Sequence, residues 1–253
     1  VACESSEADE AMRLLSIEGV DVNAKDEGGA TAMVKACWKG HGMVALRLLA
    51  CGFAAVDATS PSGKTALHHA CLQGLKEVAL ALVAKEAVDV NAKDNNRNTP
   101  LLYACDKGHK ELALALLAIV GVDVNAKNKD GWTPLLYACE AGHKEVALAL
   151  IANEAVDVNA KVVDGNTPLH YACVKGLEEV ALALIANEAT DVNAKDKKNG
   201  KTALHWACWA GHKEVALALV SNEAVDVNAK DKKGMTPLHY ACEKGLNEVA
   251  LAL

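Results

Sequence analysis

The chain has 253 residues, 51% of them hydrophobic and 23% charged, with a formal net charge of −7. The acidic balance and the lack of any long Lys/Arg block argue against nucleic acid as a partner. The longest nearly uninterrupted apolar run, Leu112 to Val122, is far too short to span a bilayer, and no secretory signal opens the sequence.

One phrase, T-x-L-x-x-A-C, organises the rest. It begins at Thr31, Thr65, Thr99, Thr133, Thr167, Thr202 and Thr236, with Met33 in place of Leu in the first copy. The steps are 34, 34, 34, 34, 35 and 34 residues. A fixed period in this range predicts a stacked repeat array, one elongated domain in which each unit touches only its neighbours. The divisions expected are a partial repeat over 1–25, repeats over 26–59, 60–93, 94–127, 128–161, 162–195 and 196–230, and a partial repeat over 231–253. Ala2-Cys3 stands 34 residues before Ala36-Cys37, and Glu248 to Leu253 match Glu214 to Leu219. Both ends are therefore expected to be cut within a repeat. The chain would then be a segment of a larger multidomain protein such as an enzyme, channel or adaptor. The likeness of Glu145–Ala155 to Glu179–Ala189 also admits an engineered or consensus array, against which stand the irregular stretch Cys51–Pro61 and the extra Asn199.

Within a unit the elements follow in a fixed order. From Asn166 to Lys195, Thr167 suits the N-cap and Pro168 the first turn of a short helix. Leu169, Ala172 and Cys173 face the stack, and Gly176 ends the helix. Glu178 or Glu179 begins a second helix, where its charge suits the dipole. That helix carries Val180, Ala181, Leu184 and Ile185 at helical spacing. Val192 is expected to be buried, Asp191 and Asn193 to turn the chain, and residues 194–201 to project as a hairpin-like loop tipped by Gly200.

These residues resemble the ankyrin repeat. The resemblance rests on Thr167-Pro168-Leu169-His170, Ala172, Gly176 and the Val-Asn-Ala of Val192 to Ala194. It recurs at Thr236-Pro237-Leu238-His239 with Gly245, and at Thr202, Leu204 and His205 with Gly211-His212. It covers essentially the whole chain and implies an all-α ankyrin-repeat solenoid of helix-turn-helix units with projecting loops. The implied function is non-enzymatic binding of other proteins, with no cofactor, no metal, no nucleic acid and no direct membrane insertion. Three departures are visible. Asn-Glu-Ala-Val-Asp, as in Asn153 to Asp157, replaces the usual Gly-Ala-Asp, so the second helix is expected to end differently, a residue later. Arg97 stands at the loop glycine position, and Asn199 is inserted in its loop.

Eight of the nine cysteines, Cys3, Cys37, Cys71, Cys105, Cys139, Cys173, Cys208 and Cys242, share one register position. Stacked repeats set equivalent atoms roughly 10 Å apart, whereas a disulfide needs Cα atoms within about 7 Å. Small, buried, reduced thiols and an intracellular, cytoplasmic location follow. Cys51, outside that register at the end of a second helix, is expected to be more exposed. Eight of the nine histidines form two sets, and His69 stands outside both. His68, His170, His205 and His239 belong to the T-P-L-H phrase, which in the family bonds neighbouring loops; His41, His109, His143 and His212 follow the turn glycine. None has a consistent carboxylate or Cys companion, and no catalytic grouping or phosphate-binding glycine loop is present.

Binding is sought where the repeats differ. The residues after Ala-Cys vary most: Trp38-Lys39, Leu72, Asp106, Glu140, Val174, Trp209 and Glu243. The resemblance implies that they face a concave groove. Exposed Trp is a favoured interface anchor, so Trp38 and Trp209 lead. The variable loop tips add Pro61, Asn95, Lys129 and Lys197, with Trp132 and Met235 just before their Thr. Tyr103, Tyr137, Tyr171, Trp206 and Tyr240 form an aromatic stripe assigned to packing between repeats. On the second helix, Leu80, Leu114, Leu148, Leu182, Leu217 and Leu251 lie about 200° from the apolar centre, where the family normally carries charge. They are expected to form a convex row. The row would hold a partner and make the chain a subunit of a larger complex, unless a rotated helix buries it.

Overall fold

In the computed structural model, the described residues are Arg13, 20–51 and 55–253. The register of Ala2-Cys3 and the place of Phe53 lie outside them. Among the described residues the secondary structure is helical, apart from one isolated bridge between Thr59 and Thr65.

The chain divides after Ala126 into two compact units. The first holds α1 (Ala32–Trp38), α2 (Gly42–Ala50), α3 (Ala66–Gln73), α4 (Lys76–Val83), α5 (Pro100–Lys107) and α6 (Lys110–Leu117). The second holds α7 (Pro134–Ala141), α8 (Lys144–Ile151), α9 (Pro168–Lys175), α10 (Glu178–Ala186), α11 (Ala203–Ala210), α12 (Lys213–Val220), α13 (Pro237–Glu243) and α14 (Asn247–Ala252). In each unit first helices pack on first helices and second on second: α1 on α3 on α5, and α7 on α9 on α11 on α13. The core repeats accordingly. Leu67 and Leu101, and Leu135, Leu169 and Leu204, are fully buried from the first helices; Leu82 and Leu116, and Leu150, Leu184 and Leu219, from the second. Each such Leu contributes roughly 1.5–3 kcal/mol of burial energy.

The T-x-x-H phrase is a capping box with histidine as the third helical residue. Thr65 N–H donates to His68 Nδ1 at 3.1 Å, and Thr167 and Thr202 do the same to His170 and His205 at 3.2 and 3.1 Å. Because Nδ1 accepts, Nε2 carries the proton. It donates to a carbonyl of the next loop: Asn98 at 2.9 Å, Lys201 at 3.1 Å and Met235 at 3.1 Å. Burial lowers the pKa of all three rings, although the carbonyl bonds pull the other way, and neutral imidazole is the form this double duty needs. One side chain thus caps its own helix and fastens the next repeat. His239 caps Thr236 alone and is exposed.

The second histidine set also packs. Gly74 ends α3 with φ 71°, and a Cβ there would come within 2.7 Å of the His109 ring. Glycine is therefore required by backbone and by neighbour alike. His109 and His212 lie against the turns of the preceding repeats, with Nε2 3.3 Å from the Leu72 and Val174 carbonyls. The Asn of Val-Asn-Ala makes a further staple: Asn159 Nδ2 donates to Ala189 O at 2.6 Å, and Asp191 N–H donates back to Asn159 Oδ1 at 2.7 Å. Asn91 and Asn193 repeat the pair.

The second helices lack a C-capping glycine and end on αR residues, Ala84, Ala118, Ala152 and Ser221. The expected extra residue is seen in α10, which continues to Ala186 before Asn187 turns extended, and in α2, which reaches Ala50; α4, α6, α8 and α12 stop one position earlier, α8 at Ile151 before Asn153. Arg97 takes the loop glycine's left-handed conformation, φ 63°, as the sole non-glycine residue with positive φ among those described. Cys37, Cys71, Cys105, Cys139, Cys173 and Cys208 are buried and free, and Cys51 is exposed. Cys242 departs from the expected burial: it too is exposed.

Candidate protein-binding surfaces

Four loops are shaped by an acid, Asp26, Asp94, Asp196 or Asp231, that is latched to a first helix. Asp94 Oδ1 accepts from the Asn96 and Asn98 amides at 2.9 and 2.8 Å, closing the turn. Its Oδ2 accepts from Tyr103 Oη at 2.6 Å. Asp231 is likewise latched by Tyr240 at 2.7 Å, Asp196 by Trp206 Nε1 at 3.1 Å, and Asp26 by Lys35 at 2.7 Å. The aromatic stripe is thus spent on packing and latching. The spacing of nine residues between acid and ring at Asp94–Tyr103 and Asp231–Tyr240, and of ten at Asp196–Trp206, was legible in the sequence but unread.

Trp132 joins that packing rather than standing free at a loop tip. Its ring stacks on Tyr137 at 4.9 Å and tilts onto Tyr171 at 5.3 Å, over a core of Leu136, Ala160 and Val162. Met235 is half-buried, and Pro61, Asn95, Lys129 and Lys197 are exposed. The tips also hold one another: Asn95 N–H donates to Ser62 O at 3.0 Å, and Lys197 N–H to Asp164 O at 2.8 Å.

At the ends of the first helices, the first unit presents Trp38 and Lys39 exposed, with Leu72 and Asp106 half-buried. Trp38 is 47% exposed. One face stacks on His69 at 5.8 Å and Lys39 Nζ sits 5.5 Å from the ring centroid. Asp106 pairs with the adjacent Lys107 at 2.9 Å. In the second unit Glu140 and Val174 are half-buried and Trp209 and Glu243 exposed. Lys175 reaches Glu140 at 3.5 Å. Trp209, 42% exposed, stands edge-on to Trp206 at 5.4 Å. Both tryptophans therefore cover a neighbour with one part of the ring and offer the rest to solvent.

Lys201 is a feature the sequence did not announce. It is 8% exposed, with Nζ 4.3 Å from the Tyr240 ring centroid, 4.4 Å from that of Trp206 and 5.4 Å from that of Trp209. Burial lowers its pKa, and the charges of Asp231 and Asp196 oppose that. A cation so placed fixes the rings of one stack end.

On the second helices Leu80, Leu114 and Leu182 are 38–40% exposed. Leu148 and Leu217 are half-buried, and Leu251 is largely exposed. The row is neither sunk into the stack nor fully in water. Across its margin Lys213 pairs with Glu248 at 2.7 Å, and Lys144 pairs with Glu179.

Among the described residues no group of three His, Cys, Asp or Glu is arranged to hold a metal ion, and no helix is long and apolar enough to cross a membrane. Burial pushes the Cys37 and Cys208 thiols up to about 12 and raises Cys71, Cys105, Cys139 and Cys173 as well, the opposite of an activated nucleophile.

Stacked helix pairs with histidine-capped starts and latched loops define a helical repeat protein whose variable residues lie at helix ends and loop tips. A family profile described as ankyrin repeats, in three copies, matches residues 1–94, 45–128, 101–196 and 188–253. The chain belongs to the ankyrin-repeat family. Proteins of this fold are in general protein–protein interaction modules and typically non-catalytic. No curated protein matches the chain.

Proposed function

We propose that this chain is a non-enzymatic scaffold that binds partner proteins through its first-helix ends and loop tips. The docking residues are Trp38, Lys39, Leu72 and Asp106 in the first unit, and Glu140, Val174, Trp209 and Glu243 in the second. Pro61, Asn95, Lys129, Lys197, Met235 and the rim of Trp132 border them. The observation that carries the reading is the pair of half-open indoles, Trp38 and Trp209, at equivalent helix ends. Large aromatic surface left open beside cations is what interface anchors use.

A second surface is supported by the partial exposure of Leu80, Leu114 and Leu182. There Leu80, Leu114, Leu148, Leu182 and Leu217 would be covered laterally by a neighbouring subunit of a larger assembly. Crosslinking mass spectrometry on the native complex tests both. Crosslinks from Lys39, Lys107 and Lys175 to other chains are expected for the first surface, and from Lys76, Lys110 and Lys144 for the second. A protein that migrates alone and crosslinks only to itself refutes stable scaffolding.

A further inference from the structure

The α3 repeat breaks the latch. The position that holds Tyr103 and Tyr240 in the repeats latched by Asp94 and Asp231 holds His69 here, and the loop residue nine earlier is Ser60, whereas Asn128 and Val162 stand there before Tyr137 and Tyr171. Both side chains are shorter, and their contact, His69 Nε2 to Ser60 Oγ, is a long 3.4 Å. His69 is buried, and its Nδ1 has no hydrogen-bond partner among the described residues. Burial and then the charge of Lys64 hold this imidazole down at about 4, so it is neutral at physiological pH. Beside it a cleft of about 290 Å³ stands open, walled by Trp38, Leu72, Pro61 and Lys64, with His69 and Ser60 at its back.

We propose that this cleft is a slot for one aromatic side chain of a partner protein, carried next to a carboxylate. The proposal rests on the protein-binding reading and names the chemistry of its occupant. Three observations select that occupant. The volume falls at the small end of ligand pockets, which run from roughly 300 Å³ upward, and so fits one side chain. The indole of Trp38 lies against His69 on one face and is 47% exposed, leaving surface on which a second ring can stack. The charged side chains at the slot are cations: Lys39 sits on the Trp38 ring, and Lys64, on the wall, already pairs with Asp94 at 3.6 Å. A carboxylate beside the incoming ring complements both. In the next repeat the same corner is closed from within by Tyr103 and Asp94, a ring and an acid, so the partner supplies in trans what α3 lacks.

The test uses the full chain and 4-hydroxyphenylacetate, a ring and a carboxylate in one probe. The Trp38 indole resonance, assigned with Trp38→Phe, should shift saturably. The carboxylate is worth what a partly exposed ion pair is worth, so the probe should bind about threefold tighter than p-cresol. The double variant Ser60→Asp/His69→Tyr rebuilds the latch that Asp94 and Tyr103, and Asp231 and Tyr240, make. It should keep the parent's circular dichroism and lose the shift. A silent Trp38 at about 20 mM probe, where even millimolar ligands saturate, overturns the slot, as does an undiminished shift in the double variant. If Trp38 is silent while crosslinks of the native complex persist, the slot alone fails; if the crosslinks are absent too, the interaction reading fails with it.

Discussion

Tyr103→Phe isolates the loop latch. The ring contacts survive in the variant: the edge-on approach to His68 at 6.1 Å, and Lys64 at 5.4 Å from the ring centroid. What is lost is the 2.6 Å bond to Asp94 and the acceptor for Asn98 Nδ2 at 3.2 Å. A hydrogen bond to a charged group contributes about 1.5–3 kcal/mol, and Asn98 places the cost toward the upper end. The effect carries a pH signature. Burial raises the Asp94 carboxyl, but the Tyr103 hydroxyl, the Asn98 and Asn96 amides and the Lys64 charge outweigh it, so it titrates below its ordinary 3.8. A carboxyl depressed in the folded state contributes fully above its unfolded value and loses that contribution as pH falls through the folded one. The deficit of Tyr103→Phe should therefore be flat from neutral pH to about 5 and narrow below 3.8. Urea unfolding across that range, with amide exchange at Asn98 to localise the change, measures it. A cost under about 0.5 kcal/mol at neutral pH, the level of an ordinary surface change, would refute the latch. So would a deficit undiminished in acid.

Arg97→Gly should raise stability by about 1 kcal/mol, since a side chain at φ 63° carries a left-handed penalty that glycine avoids; a lower urea midpoint would contradict this. Of the eight described thiols, Cys51 and Cys242 should react with iodoacetamide in the native protein and the six buried ones only on unfolding, read by peptide mass spectrometry. Leu114→Glu/Leu182→Glu should stay folded, each change costing less than the roughly 2–5 kcal/mol of a core truncation, because both leucines are about two-fifths exposed. Loss of the helical circular dichroism signal would mean that the second helices depend on them.

Much of the scaffold was readable because its signals are local. Thr167 and Pro168 start α9 and Gly176 stops it, all within one short window of chain. The role of His170 was also readable through the resemblance, which implied a bond to the next loop. The candidate site was less legible. The sequence put Trp209 at a helix end and Trp132 at a loop tip, both as binding candidates, yet Trp132 lies between Tyr137 and Tyr171 while Trp209 is 42% exposed. The expected burial of Cys242 failed, because register places a side chain but does not supply the contacts that bury it.

The sequence by itself determined the period, the helix starts and stops, the family and the set of positions free to vary, because capping, turn chemistry and apolar spacing act over a few residues. Only the tertiary structure decided which variable side chains remain open. Lys201 lies among three rings, His69 is buried with its Nδ1 unpartnered among the described residues, and the leucine row is half covered. Those outcomes depend on contacts between residues about one repeat apart in the chain, such as Lys201 with Tyr240 and Trp38 with His69. Such contacts exist only once helix has stacked on helix and each loop has found its path.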